Sequence, residues 1–308
     1  MLREIRWHLE TFLFLSISFA VARLPLGLSR SVGRSMGRLM FRLLKRRREV
    51  AIGNIADSLP FLEKQAGWAK RSPEDLARQC FEHLGLSLME DCRIYHGRGQ
   101  ALIDAVEVNG NEHWQKALER GKGVAFVTGH CGNWELLALS FGARYHNLSV
   151  VARRQDNPHL NGVLERIRSG YGNSVIYREG ALRAMFSSFK KNGIVGLLID
   201  QAVAPEDGVL VNFLGRPAWT TNFLAQLARK VEVPLIPAFI HRDGERQVIT
   251  FHPEIILPEL ADGVRDTQIL TNCIERYVIE HPADWYWIHK RWKRVPQQGA
   301  PGVAEHAE

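Results

Sequence analysis

Val124-Ala125-Phe126-Val127-Thr128-Gly129-His130-Cys131-Gly132-Asn133-Trp134-Glu135-Leu136-Leu137-Ala138-Leu139-Ser140-Phe141 joins two kinds of pattern. The first residues are apolar and β-prone, and the last six are helical in character. His130 therefore falls where a strand ends, and Glu135 falls in the first turn of the next helix. On one ideal helix, residues five apart point about 140° away from each other. With His130 still in the turn, however, the Glu135 carboxylate is expected to reach one imidazole nitrogen and leave the other free. A carboxylate-oriented imidazole is a standard device for taking a proton from a hydroxyl near neutral pH. The alternative is a buried histidine with a satisfied polar contact, beside a glutamate favoured by the helix dipole. The strand–turn–helix setting, with Gly132 allowing close backbone approach, favours a catalytic centre.

The rhythm around this joint extends it to a fold. From about Val106, short apolar runs at Val124–Val127, Ser149–Ala152, Ile194–Ile199 and Leu235–Ile240 alternate with amphipathic stretches. Those stretches are Asn111–Arg120, Leu160–Ser169, Ala181–Lys191 and Thr221–Lys230. Alternation of this length predicts an α/β sandwich with a mostly parallel central sheet flanked by helices. Reactive groups in such sheets gather at the carboxyl ends of strands. His130 is expected there, and so is Asp200, directly after Ile199. Residues 51–105 read as helical, with Ser72-Pro73-Glu74-Asp75 as a helix start.

The 308 residues carry 40 Lys+Arg against 33 Asp+Glu, a net charge of +7. A basic protein seeks an anionic partner: nucleic acid, an anionic membrane face or an acidic protein. Cys80, Cys92, Cys131 and Cys273 are scattered without a C-x-x-C pair, which indicates neither a disulfide framework nor a zinc site, and a reducing, cytoplasmic setting. Residues 297–308 look like a small disordered tail.

The amino-terminal end qualifies the charge. Thr11–Ala22 holds twelve uncharged residues, short of the roughly 20 needed to span a bilayer. Trp7 and Arg6 before it, and Arg23 and Arg30 after it, could lengthen it by anchoring and snorkelling. Residues 1–29 are expected to form a membrane-inserted or deeply interfacial anchor, with a buried core helix or a processed segment as the alternatives. Ser29–Val50 then places Arg or Lys at 30, 34, 38, 42 and 45–48 among aliphatic residues. That is the pattern of a helix lying on an anionic bilayer. The rest divides into a helical interfacial part, 30–105, and an α/β catalytic core, 106–295, within one domain of 30–308.

At this point several ordered motifs resemble one family. EVAIGNIADSLP (49–60) is similar to an R-x-x-x-A-x-x-N-L…P segment, and residues 121–135 to a strand leading into H-x-G-N-W-E. Arg153-x-x-Asp156-Asn157-Pro158 resembles an R-x-x-D-N-P element, Arg178 a functional arginine ahead of a helix, and Asp200-Gln201 a D-H/D-Q element. Pro234–Pro237 is similar to a proline-bracketed strand, and Trp285–Lys293 to a terminal W-x-H-R-R-W/F-K. Together they resemble, over nearly the full length, the lipid A biosynthesis acyltransferases (the late lauroyl and myristoyl transferases), within the H-x4-D/E glycerolipid acyltransferase superfamily.

The resemblance implies a membrane-bound enzyme on the bacterial inner membrane, its catalytic domain facing the cytoplasm. It implies transfer of a fatty acyl group from acyl carrier protein to a 3-hydroxyacyl hydroxyl of a lipid A precursor, without cofactor, metal or acyl-enzyme. His130 and Glu135 would be catalytic; Arg153, Asn133, Arg178 and Asp200 would contact substrate. Arg153 and Arg178 suit sugar phosphates because guanidinium holds phosphate in a bidentate way. Oxyanion donors could come from either arginine or from backbone N–H groups near Gly132 and Asn133. Cys131 as a nucleophile is disfavoured, since a cysteine adjacent in sequence to a histidine rarely aligns with it. A metallohydrolase built on His130, Cys131 and Glu135 lacks further ligands. The same chemistry on another glycolipid or aminolipid with acyl-CoA is the nearest alternative; a non-enzymatic basic protein binding membrane or nucleic acid is the remote one. The Trp285–Lys293 run suits base stacking, interfacial aromatics or a packed terminal strand, and beside an anchor the second is expected, with no nucleic acid.

Overall fold

Residues 2–295 are described by a computed structural model; the tail at 297–308 lies outside the described residues. The chain opens with helices α1 (Leu2–Ala22), α2 (Leu26–Leu43), α3 (Lys45–Leu62), α4 (Pro73–Tyr95) and α5 (Gln100–Asp104). The α/β part follows: β1 (Glu107–Asn109), α6 (Asn111–Leu118), β2 (Val124–Thr128), α7 (Trp134–Arg144), β3 (Leu148–Ala152), α8 (Pro158–Arg168), β4 (Ser174–Tyr177), α9 (Ala181–Lys190) and β5 (Ile194–Leu198). A hairpin, β6 (Val209–Phe213) and β7 (Arg216–Thr220), precedes α10 (Phe223–Val231), β8 (Leu235–Asp243), β9 (Arg246–Phe251) and α11 (Gly263–Glu280).

Seven strands form one sheet in the order β1-β9-β8-β2-β5-β3-β4, and all neighbours run parallel except β8 and β9. The expected sandwich is therefore the observed one, with helices on both faces. β2 is buried at every residue, as an apolar run without alternation should be when both sheet faces are covered. The hairpin forms a separate two-stranded sheet.

The register of the central strands decides where the chemistry lies. β2 pairs with β5 so that Thr128 faces Leu198, an offset of seventy residues. The same offset carries two residues past each strand end and sets His130 beside Asp200. β3 pairs with β4 so that Ala152 faces Tyr177, which in the same way sets Arg153 beside Arg178. All four therefore lie along one carboxyl edge of the sheet.

The amino-terminal helices depart from expectation in one respect. Ser29–Val50 is not one helix: the chain breaks at Leu44 (φ −85°, ψ 58°) between α2 and α3. Nor does α2 lie free. Ser29, Gly33 and Gly37 form a small-residue stripe, continued by Phe41, that is buried on α4. A Cβ on Gly37 would lie 2.3 Å from the Phe81 carbonyl oxygen, so only glycine permits this approach. The arginines spaced four apart occupy other faces, and Arg38, Arg42 and Lys45–Arg47 are exposed.

α1 lies along the domain instead of projecting from it. The Asn157 amide donates to Trp7 O, Ser18 Oγ meets His96 Nε2 at 2.9 Å, and Arg93 reaches the carbonyl of Leu24 at 2.6 Å. Its outer face exposes Ile5, Leu9, Phe12, Leu13, Ile17 and Phe19, each about half or more. By length and composition, Arg3–Ala22 is apolar enough to cross a membrane, with 17% of that window buried.

Candidate active site

His130 is gripped on three sides. Its Nδ1 lies 2.7 Å from Asp200 Oδ1, its backbone N–H donates to Asp200 Oδ2 at 2.8 Å, and Gln201 Nε2 sits 3.1 Å from its Nε2. Trp285 Nε1 donates to Asp200 Oδ2 at 2.9 Å. Asp200 is buried, at 3% exposure. Burial opposes its charge, but the charge of His130, the two His130 hydrogen bonds and the Trp285 indole outweigh it and hold the carboxyl down to about 2. An ionised carboxylate only accepts, so Nδ1 carries the proton and Nε2 presents its lone pair, towards which the Gln201 amide points.

The expected contact between His130 and Glu135 is replaced by a different one. Glu135 takes a bidentate grip from Arg168 at the end of α8, with bonds of 2.6 and 3.0 Å to Oε1 and 3.1 Å to Oε2. The reason is helical phase. Asn133 caps α7 by accepting from Leu136 N at 3.0 Å, so Trp134 is the first helical residue and its ring lies 5.0 Å from the imidazole. Glu135, one residue on, points towards α8. The carboxylate steering His130 thus comes from the neighbouring strand end, and Glu135 ties α7 to α8.

The turn itself requires glycine. Gly132 has φ +54°, and a Cβ there would meet the Ile240 carbonyl oxygen at 2.3 Å. Its N–H donates to Asp284 O at 2.7 Å, and Tyr286 N donates to His130 O at 3.1 Å. The Trp285 segment therefore clamps both backbone and side chain of the histidine loop.

Asn133 is nearly fully buried. Its oxygen caps α7, and its amide donates to Glu90 and Asp91 at 3.0 and 3.2 Å. Arg153 is exposed and pairs with Asp156 at 2.8 Å. Arg178 is exposed, and no ion pair holds it among the described residues. Strand order sets these arginines one and two strands beyond Asp200, or roughly 5 and 10 Å at ordinary strand spacing. Cys131 is 1% exposed, and burial, with Asp200 and Asp284 nearby, pushes its thiol well above the usual range. That is the reverse of what a nucleophile needs. The terminal aromatics are not interfacial either: Trp285 and Trp287 are buried in the core, and Arg291 bonds the Trp219 carbonyl.

A cavity of about 360 Å³ opens beside this constellation. Gly132, Trp134, Glu135, Asp91 and Tyr286 line it together with the apolar Met40, Leu44, Phe81, Leu84 and Leu88, and with Arg47. Trp134 and Tyr286 stand between cavity and imidazole, their rings 5.0 and 6.1 Å from it. Asp91, which sequence reasoning passed over, has its carboxyl raised well above the usual range by burial and by the neighbouring Glu135 and Glu90. Arg168, Gln201 as a partner of the ring, and the Trp285 indole were also missed. Only Asp200–Gln201 and the Trp285 run stand out in the sequence as motifs.

An oriented base at a sheet edge, beside an apolar slot, suits transfer of a hydrocarbon-bearing group to a hydroxyl. Comparison with known proteins agrees. The family model for bacterial lipid A biosynthesis acyltransferases matches residues 2–294. The chain is 26% identical to the lipid A biosynthesis lauroyltransferase of Escherichia coli K12, over 94% of this chain and 93% of that one. It is 23% identical to the palmitoleoyltransferase of the same organism, over 93% and 92%. It is 24% identical to a phosphatidylinositol mannoside acyltransferase of Mycolicibacterium smegmatis, over 71% and 73%. Fold, motif order and full-length match converge, and the chain belongs to the bacterial lipid A biosynthesis acyltransferase family.

Proposed function

We propose that this acyltransferase moves a fatty acyl chain from acyl carrier protein to a 3-hydroxyacyl hydroxyl of a lipid A precursor, at the cytoplasmic face of the bacterial inner membrane. The observation that carries the mechanism is the His130–Asp200 pair, its basic nitrogen turned away from Asp200, beside the Trp134 and Tyr286 rings that line an apolar cavity. The acceptor hydroxyl takes the place of the Gln201 amide at Nε2. His130 accepts the hydroxyl proton as the oxygen attacks the thioester carbonyl, and Asp200 stabilises the imidazolium that forms. Collapse of the tetrahedral intermediate breaks the C–S bond, and the departing thiolate recovers the proton from Nε2. Nothing is left on the enzyme. Glu135 contributes by holding α7 and α8 together at the cavity wall.

The apolar part of the cavity lining suits an acyl chain. Arg153 and Arg178, exposed at the same sheet edge, suit the phosphates of the acceptor sugar. The outward face of α1 and the arginines of α2 and α3 suit an anionic bilayer on which the enzyme rests.

The test is turnover of a purified, detergent-solubilised enzyme on acyl carrier protein thioesters and a lipid A precursor, read by mass spectrometry. His130→Ala should fold normally and lose at least about a thousandfold in rate. Retention of most of the rate would remove His130 from the base role. Parallel reactions with acyl-CoA, or with a mannosylated phosphoinositide as acceptor, separate the substrate readings; the relative of that specificity keeps the second arm necessary.

A further inference from the structure

Away from the cavity, the first turns of α1 and the start of α8 bring two imidazoles and a carboxylate together. Glu4 and His8 are four apart on α1 and so share a face, and His159 is the second residue of α8. One carboxylate oxygen and one ring nitrogen from each histidine all lie within 4.8 Å of one another. His159 Nε2 stands 3.6 Å from Glu4 Oε2, beyond hydrogen-bonding distance. That nitrogen is shielded from solvent and has no hydrogen-bond partner among the described residues. The rings of His8 and His159 face each other, 4.0 Å apart and tilted by 34°.

Convergence here follows from backbone placement. Asn157, 7% exposed, caps α8 by accepting from His159 N and Leu160 N at 3.0 and 3.3 Å. Its amide donates to Trp7 O and Glu10 Oε2 at 3.2 Å each, and lies 3.4 Å from Thr11 Oγ1. The stretch of α1 that follows Glu4 is thereby fixed on the amino end of α8. An arrangement that orders the ligand-bearing elements in advance is what a metal site needs.

We propose that Glu4, His8 and His159 bind one zinc-class divalent ion, which staples α1 to the catalytic domain. Two imidazoles and a carboxylate match zinc and its transition-metal neighbours, whereas calcium and magnesium call for oxygen donors. Tetrahedral zinc bonds of about 2.0–2.2 Å place ligand atoms about 3.3–3.6 Å apart, so closure from the 4.8 Å limit needs a shift of up to about 1.5 Å. The exposed Glu4 and His8 side chains supply it by rotation. Water completes the shell.

The test uses full-length, untagged protein in detergent, stripped with chelator and titrated with cobalt(II) and zinc(II). The expected result is about one ion per chain after desalting, with cobalt d–d absorption that zinc displaces. His8→Ala and His159→Ala should each weaken binding at least about tenfold, and so should Glu4→Gln, an exposed change that leaves folding intact. Zinc should also slow tryptic cleavage after Arg6. Binding well below one ion per chain, or binding that survives His8→Ala/His159→Ala, would overturn the site. Neither readout depends on acyl transfer.

Discussion

Asp200→Asn asks which carboxylate steers the imidazole proposed as the base, and the structure fixes the answer to expect. Asp200 Oδ2 receives two donors, the His130 backbone N–H and the Trp285 indole N–H. An asparagine has one oxygen, and those donors hold it at the Oδ2 position. Reversing the amide would leave two buried donors unpaired, at about 1–3 kcal/mol each. The asparagine NH2 therefore faces His130 Nδ1. Two donors cannot share that contact, so the ring moves its proton to Nε2 and the outward nitrogen ceases to be a base. The same substitution in a Ser-His-Asp triad lowers kcat about 10⁴-fold, or about 5.4 kcal/mol. The His130 side chain is 22% exposed, so solvent shares in stabilising the imidazolium, and we expect a loss of about 10³- to 10⁴-fold. Steady-state kcat and KM, circular dichroism and the ¹⁵N tautomer signature of His130 form the assay. Glu135→Gln, which keeps an acceptor for Arg168, should stay within about tenfold of wild type. If Asp200→Asn keeps more than about a tenth of kcat, or if Glu135→Gln proves the more damaging, Asp200 is not the steering group.

Three further outcomes follow from the geometry. Gly132→Ala introduces a Cβ 2.3 Å from the Ile240 carbonyl at positive φ, and should lower the melting temperature and abolish turnover; normal activity in that variant would contradict the described turn. Asp200 is held at about 2 when folded and titrates near 3.9 when unfolded. Its stabilisation, about 2 kcal/mol, is therefore complete above about pH 4 and disappears as pH falls towards 2; urea midpoints measured across that window should show a steeper acid limb in wild type than in Asp200→Asn. Leu88→Trp narrows the cavity that Leu88 lines, and at about 0.8 kcal/mol per methylene excluded, losing two should cost the longest donors about fifteenfold; unchanged chain-length preference would separate this cavity from the acyl chain.

Local pattern carried the fold a long way. The apolar runs at Val124–Val127, Ile194–Ile199 and Leu235–Ile240 became neighbouring strands of the central sheet, and Ser72 capped α4 as its Ser-Pro-Glu-Asp start implies. His130 and Asp200 were both legible as strand-end residues. Their pairing was not, because it depends on which strands become neighbours, and chain order does not give that. Only with β2 beside β5 does the shared register bring the two together. Glu135 was misjudged for a local reason: the cap at Asn133 starts the helix one residue before it and turns its side chain towards α8, whose Arg168 is thirty-three residues away. The Trp285 segment looked like surface aromatics because its composition matches that use, and nothing local reveals that an indole N–H will be needed to satisfy a buried carboxylate.

That indole has a temporal meaning. His130 and Asp200 are synthesised first, yet the donor that helps fix the carboxylate, and the backbone bonds that hold the histidine loop, come from residues 284–286. A nascent chain arrested before Asp284 should carry the His130–Asp200 pair but show no turnover, becoming competent only when residues 284–286 dock; measurable acylation by such arrested chains would refute this. Competence is thus deferred until residues 284–286 have been made and docked on the histidine loop.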